Sequence, residues 1–441
     1  MEAEADPVES GTTVWRTTSI EIENENEREQ KIRTTCGFVD DKDADKTPRV
    51  VSSTFVRDGR ILATPANEYR TGESPPSRAT LREDDLAVVL VRRVGESALV
   101  TSEHAGWTAT RSIGIIRAEP LIVRWLHIWL QTPTAKARID EDVTAHVEPT
   151  VSLDTLRQML FPLPPPDVIS AYHRAFSLIE EMISLYRESA RKSVELADAL
   201  HKDWVSSHGP WESRSLAKVA KPKTGKGSER SLLPSPVGLS TDVVAPRDLY
   251  DLHVPHVPRF RLSGPAEVGE SHPPGTIMLS TRSDGAHIAV LSRPATPLRS
   301  VVAIRPTEDE DRWWLLHELR SRSGDIAGLA QGQNSREISA LALKRLKITW
   351  PDRFSRAEFH TEVGPLHEAA QLLVSKIATL HDLRTALLRD ISAKAGILRE
   401  PTTKSAEQGT GVPHSAKIPT PRVDRTGHES GWPPEYRRAN E

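Results

Sequence analysis

The sequence predicts an α+β protein built from two tandem, pseudo-repeated mixed α/β globules, each followed by a long helix, with the two helices pairing as an antiparallel coiled coil. Three observations carry this prediction. Short hydrophobic blocks recur in the same order about 188 residues apart. A stretch free of Gly and Pro follows the first set of blocks. Its apolar stripe returns after the second set in the same register.

The repeat is read from three collinear matches. Residues 111–117 (RSIGIIR) match 299–305 (RSVVAIR). Upstream, 86–100 resembles 275–291, with Leu90 and Arg93 falling on Leu279 and Arg282. Downstream, 151–164 aligns without a gap on 338–351. The first two blocks are short, rich in β-branched residues and closed by Gly or Pro, and read as strands. Leu121–Leu130 and Arg312–Arg320 read as helices of matching placement, each carrying a tryptophan (Trp125, Trp314). Each globule is thus a mixed unit.

Residues 167–204 lack Gly and Pro. Their apolar positions are Tyr172, Phe176, Ile179, Ile183, Tyr186, Ala190, Ser193, Ala197 and Leu200, a 4–3 alternation that marks a heptad seam. Adding 187 gives Phe359, Val363, Leu366, Ala370, Leu373, Ile377, Leu380, Arg384 and Leu387, with one polar exception. Such a narrow seam calls for a partner helix, and the other copy supplies one. The helix-pairing candidates are Tyr172, Phe176, Ile179, Ile183 and Tyr186 with Leu366, Leu373, Ile377, Leu380 and Leu387. The competing reading packs each helix on its own globule. Gly364-Pro365 is expected to break or kink the second helix.

The expected division is a first globule over 1–165 and a first helix over 166–204. A linker over 205–245, a second globule over 246–356, a second helix over 357–394 and a disordered tail over 395–441 follow. The linker carries Lys218, Lys221, Lys223, Lys226 and Arg230, read as a solvated basic segment with phosphate contact as the alternative. The tail is polar and Pro-rich.

Composition limits the function classes. The formal charge is −3, from 58 Lys+Arg against 61 Asp+Glu, with an excess of five acids in residues 1–70. A nucleic-acid surface would therefore be local. One cysteine, Cys36, excludes an intramolecular disulfide framework and a cysteine-based zinc site. The acidic start lacks an apolar signal segment, and the apolar run 120–130 is short and holds Arg124 and His127. A cytoplasmic protein without membrane contact is expected.

Catalytic motifs fail on inspection. Ser74-Pro75-Pro76 is followed by Ser77, where an adenine methyltransferase loop needs an aromatic residue. In Gly225-Lys226-Gly227-Ser228 the phosphate-loop pattern fails at Ala220 and at Gly227. His367-Glu368 starts a zincin pattern that Gln371 does not complete. His253 and His256 have no further ligands at metal spacing, and Cys36 has only Arg33 nearby. Neither a metal site, nor a cofactor, nor a catalytic residue is expected.

The chain resembles the specificity (S) subunit of type I restriction–modification systems. The resemblance rests on Leu90–Gly95 and Leu279–Gly285, on Ser112–Arg117 and Ser300–Arg305, and on the leucine-centred steps Leu156–Pro164 and Leu343–Pro351, each leading into a heptad helix. Gln331-Gly332 before Ile338 adds to it, while Thr144-Ala145 departs from it. It covers roughly 80–204 and 246–393, and residues 1–80 match poorly. It implies a non-catalytic subunit in which two target-recognition domains read the halves of a split site in double-stranded DNA. The helices would serve as a ruler; methyltransferase subunits would dock on them, and a motor–nuclease subunit would join for cleavage. The alternative is a coiled-coil protein-interaction scaffold.

Arg and Lys can pair with guanine edges, and Asn and Gln with adenine. The base-reading candidates are Arg92, Arg93, Arg111, Arg282, Arg293 and Arg299, with Gln331, Gln333 and Asn334 in a loop. The recurrence of Arg93/Arg282, Arg111/Arg299 and Arg117/Arg305 fits either base reading or a shared structural role.

Overall fold

The computed structural model describes residues 15–26, 31–38, 49–62, 77–145, 148–228, 240–250, 252–257, 262–265, 269–282, 287–332 and 336–396. The first half opens with β1 (Arg16–Thr18), α1 (Ile20–Asn26), β2 (Arg33–Cys36), β3 (Val50–Val51), β4 (Val56–Arg57) and β5 (Arg60–Ile61). It continues with β6 (Leu86–Val89), β7 (Ser97–Leu99), β8 (Thr108–Ala109), β9 (Ile113–Arg117), α2 (Pro120–Leu130) and α3 (Pro133–Asp142). It closes with β10 (Thr144–Ala145), β11 (Pro149–Thr150), α4 (Leu153–Gln158), β12 (Phe161–Leu163) and the long α5 (Pro166–Ser207).

The second half starts with β13 (Glu212–Ser215), α6 (Leu216–Val219), β14 (Ala220–Thr224), β15 (Ser240–Val244) and β16 (Leu262–Pro265). Next come β17 (Ile277–Ser280), β18 (Ile288–Val290), β19 (Thr296–Pro297), β20 (Val301–Pro306), α7 (Arg312–Ser321) and α8 (Ser323–Gly328). Then follow β21 (Ala330–Gln331), β22 (Glu337–Ile338), α9 (Ala340–Arg345), β23 (Lys347–Trp350) and the long α10 (Arg353–Gly396).

The central sheets are antiparallel and share one topology, β2-β9-β6-β7 and β14-β20-β17-β18. Smaller pairings recur around them. Strands β1 and β12 pair antiparallel, as do β13 and β23; β3 and β8 pair parallel, as do β15 and β19. Both faces of each sheet's two central strands are covered, so these strands are almost continuously apolar. In β17, Ile277 and Leu279 enter one core while Met278 enters the other. The indoles tie each helix to its globule, since a buried N–H needs an acceptor. Trp125 Nε1 donates to the Pro162 carbonyl at 2.6 Å, and Trp314 Nε1 to that of Thr349 at 2.9 Å. The leucine-centred steps are short helices capped alike, Ser152 Oγ accepting from Thr155 N and Ser339 Oγ from Ala342 N.

Three expectations are corrected here. Residues 205–245 are not simply a linker: 205–207 complete α5, and β13, α6, β14 and β15 belong to the second globule. Residues 15–62 hold the matching β1, β2 and β3, so the weakly patterned opening is the first copy of the same unit. Their signal is faint because β2 and β14 are edge strands, exposed and poor in apolar residues. Further, α10 starts at Arg353 and runs without a break through Gly364-Pro365. Pro365 faces solvent, while Phe359 and Val363 before it and Ala370 and Val374 after it are buried. That burial outweighs the lost backbone bond, a cost of about 3 kcal/mol. Of residues 395–441, expected to be a disordered tail, 395–396 complete α10 and the rest lie outside the described residues.

Helices α5 and α10 run antiparallel against one another. Tyr172 donates to Asp390 Oδ2 at 2.9 Å near one end, and Trp204 Nε1 to Glu362 Oε2 at 2.9 Å near the other. Between them Ile179, Ile183 and Ile377 form an apolar cluster flanked by Tyr186, Leu380 and Leu387. A second cluster joins Ala190 and Val194 to Ala370 and Val374, with Leu373 at its side. Val194 takes the place expected of Ser193, a one-residue slip that relaxes the strict heptad locally. Tyr172 and Phe176 pack with the first globule's core, and Leu366 with the second's. Arg384 forms an ion pair with Glu180 (3.2 Å), which also holds Arg60, and it donates to Gln131 at the end of α2.

At the other junction a chain of imidazoles does this work. His317 Nδ1 lies 2.7 Å from Asp198 Oδ1, His317 Nε2 lies 2.8 Å from His367 Nε2, and His367 Nδ1 lies 3.1 Å from His256 Nε2. With Asp198 ionised, one set of neutral tautomers satisfies every contact, protons pointing from His256 toward Asp198. Burial lowers the pKa of His256 to about 4, of His201 to about 3 and of His367 to about 2, and nearby guanidinium groups (Arg320, Arg312, Arg322) push the same way. At Asp198 burial pushes upward, but hydrogen bonds from His317 and Arg320 win and hold the carboxyl well below its usual range.

These rings have folded pKa values below the ordinary 6.5, so their stabilisation is complete above that value and is lost as pH falls. Urea unfolding should show a stability that is level near pH 7.5. It should then decline below 6.5 by about 1.4 kcal/mol per pH unit for each proton taken up. Constant stability between pH 7 and 5 would mean that the rings are not held neutral.

Candidate nucleic-acid interface

The strand registers bring certain loops to one edge of each sheet. In the first globule the end of β6, the starts of β7 and β9, and the end of β2 meet there, because Val89 pairs with Ile113, Val88 with Ser97 and Cys36 with Gly114. That edge carries Phe38, Arg92, Arg93, Glu96 and Arg111. In the second globule Ser280 pairs with Val301, Leu279 with Ile288 and Thr224 with Val302. Its edge carries Lys226, Arg282, His287 and Arg299.

Each edge is shaped by a glycine. Gly37 and Gly225 follow the edge strands β2 and β14, where the chain crosses the next segment at close range. A Cβ on Gly37 would collide with the carbonyl oxygens of Ala109 and Thr110, and one on Gly225 with those of Pro297 and Leu298. Their spacing of 188 equals that of the 111/299 block, a signal that could have placed Lys221 and Lys223 on a strand. The failed phosphate-loop fragment is the turn that follows this crossing.

The candidates lie as follows. Arg92 is exposed, holds a left-handed backbone (φ +69°) and has its Nε 2.9 Å from Glu148. Arg93 bridges Glu96 (2.9 Å) and the Ser53 carbonyl. Burial raises the Glu96 carboxyl pKa, against the pull of Arg93. Arg111 Nε donates to the Phe38 carbonyl at 3.2 Å. Arg282 and Arg299 are exposed. Arg293 follows the far end of β18 and pairs with Asp242 at 3.0 Å, away from this edge. Gln331 is exposed on β21, in a hairpin that meets Arg282 through Glu337. Gln333 and Asn334 lie outside the described residues.

The register also corrects the proposed Arg93/Arg282 equivalence. Leu90 N donates to Ser112 O, and Thr281 N to Ser300 O, so Leu90 matches Thr281 and Arg282 matches Val91. A two-residue slip in the sequence alignment had paired the arginines. Arg117 and Arg305 do correspond, at the far edge. Arg117 makes a fork-like bond to Asp85 (2.6 and 2.7 Å), while Arg305 is exposed, so a common reading role is not what they share.

Among the described residues no cluster of His, Cys, Asp and Glu has the geometry to hold a metal ion, and no helix is long and apolar enough to cross a membrane. Gly37→Ala or Gly225→Ala should each lower stability by about 1–3 kcal/mol, since backbone cannot move aside as a flexible side chain would. Unchanged melting of either variant would show that the close crossing is absent.

No protein-family model and no curated protein matches the sequence. Solved structures do. The chain is similar to one from a study of complex assembly and conformational transition in the type I R-M system, at 18% identity and TM-score 0.41, covering 88% of this chain and 99% of that one. It is similar to the HsdS subunit from Thermoanaerobacter tengcongensis at 19% identity and TM-score 0.32, covering 82% and 96%. It is also similar to the type I restriction–modification S subunit from M. genitalium at 12% identity and TM-score 0.49, covering 87% and 98%.

Proposed function

We propose that this chain is the non-catalytic DNA-reading subunit of a type I restriction–modification complex, recognising a bipartite site in double-stranded DNA. The observation that carries the reading is a duplicated loop edge, held at the two ends of a shared helix pair. About 32 Å of helix separates Phe176, in the first core, from Ala197, in the second. Two readers on a stiff spacer give bivalent recognition, with spacer length setting the distance between half-sites. The basic loops supply contacts for phosphates and bases.

The test is methylome sequencing of a host with and without the gene, in the presence of its methyltransferase partner. Adenine methylation at one split motif, two short half-sites around a fixed gap, should disappear with the gene. An active partner with unchanged methylation would sink the reading.

The directed partners are methyltransferase subunits, with a motor–nuclease subunit joining for cleavage. Support comes from leucines that helix pairing leaves in solvent: Leu185 and Leu196 on α5 and, 187 residues on, Leu372 and Leu383 on α10, all about half exposed. The pair thus offers two equivalent apolar rows, suited to two copies of one partner. Leu185→Glu combined with Leu372→Glu should abolish co-purification of the methyltransferase while leaving melting and duplex binding intact. Retained co-purification would place the docking surface elsewhere.

A further inference from the structure

The two reading edges match in backbone and differ in the state of their arginines. On the first edge every candidate guanidinium is engaged: Arg92 by Glu148, Arg93 by Glu96 and Ser53, Arg111 by Phe38. On the second edge neither Arg282 nor Arg299 has a hydrogen-bond or ion-pair partner for its guanidinium among the described residues, and both are exposed.

Their backbones, in contrast, are anchored. The Arg282 carbonyl accepts from Tyr250 Oη (3.1 Å) and Ser280 Oγ (2.8 Å). Arg299 N donates to the Gly227 carbonyl at 2.7 Å. The two residues extend β17 and β20, the central strands of their sheet, and face each other across it, because Thr281 N bonds Ser300 O one step inward. Lys223 and Lys226 lie to the side, at the end of the edge strand β14, with Lys223 already paired to Glu270. Central arginines with flanking lysines suit a division between base and phosphate contacts.

We propose, resting on the DNA-reading function above, that Arg282 and Arg299 are the guanine-reading pair of the second globule and that the first globule reads its half-site without free arginines. A guanidinium with a fixed root and no partner among the described residues can present its fork to guanine O6 and N7 without first leaving one of them. Arg92 and Arg93 must first exchange a carboxylate. Glu148 and Glu96 also place negative charge on the first edge, which suits a cytosine amino group better than a guanine face.

The test is methylome sequencing of hosts carrying the full complex with R282A, R299A or, as a control on the first edge, R92A. Both arginines of the second edge are exposed, so melting should match the parent. Each of R282A and R299A is expected to relax one G·C position, with at least tenfold more methylation at sites bearing another base there. Both relaxed positions should fall in the same half-site, and R92A should relax no guanine. Uniform loss of methylation at an unchanged motif would make the pair phosphate contacts and overturn the proposal, as would relaxation in both half-sites. A parent complex with no split motif at all would instead overturn the DNA-reading function itself.

Discussion

Each long helix begins in the core of its own globule and ends in the core of the other. Ile169 and Phe176 of α5 are buried in the first core, and Ala197 and Trp204 of the same helix in the second. Phe359 and Val363 of α10 are buried in the second core, and Leu388 and Ile391 in the first. Full burial of one such aliphatic or aromatic side chain is worth roughly 1.5–3 kcal/mol. Neither core closes without the distant end of the other copy's helix, so the pair acts as a shared strut.

The same constraint explains the polar groups at the junctions. Where α2 meets the pair, Arg384, Glu180, Arg60 and Gln131 interlock; where α7 meets it, the imidazole chain from Asp198 to His256 fills the gap. Glu180 and His367 are equivalent positions in the repeat, so one backbone site holds an ion pair in one copy and a neutral ring in the other. Buried polar groups of either kind hold a domain in one orientation only if every partner is supplied. The two loop edges follow the same rule, with shared strands and glycine crossings but different partners for their arginines.

Much of this was legible in the sequence. Periodicity placed both long helices, because burial of one face forces apolar residues into register, and matching position in the repeat with a shared tryptophan placed α2 and α7. The first two recurring blocks located β6 and β9 and their copies, since strands covered on both faces are written as nearly unbroken apolar runs, and the third located the leucine-centred steps α4 and α9. The opening unit was not legible: β1 to β3 and β13 to β15 are short, and several are exposed edge strands whose pairing partners lie about 50 to 150 residues away. The constant spacing of Gly37 and Gly225 was the one trace they left.

The sequence by itself determined the duplication, the heptad pairing and the kinds of side chain available at the loops, because these depend on local periodicity and composition. Only the tertiary structure decided that the basic linker is part of a sheet, that Arg282 corresponds to Val91 and that α10 passes through Pro365. It alone also showed which arginines carry partners. Each of those outcomes depends on contacts between residues far apart in the chain, and a carboxylate such as Glu148 meets Arg92 only after a hairpin has folded back beside the sheet edge.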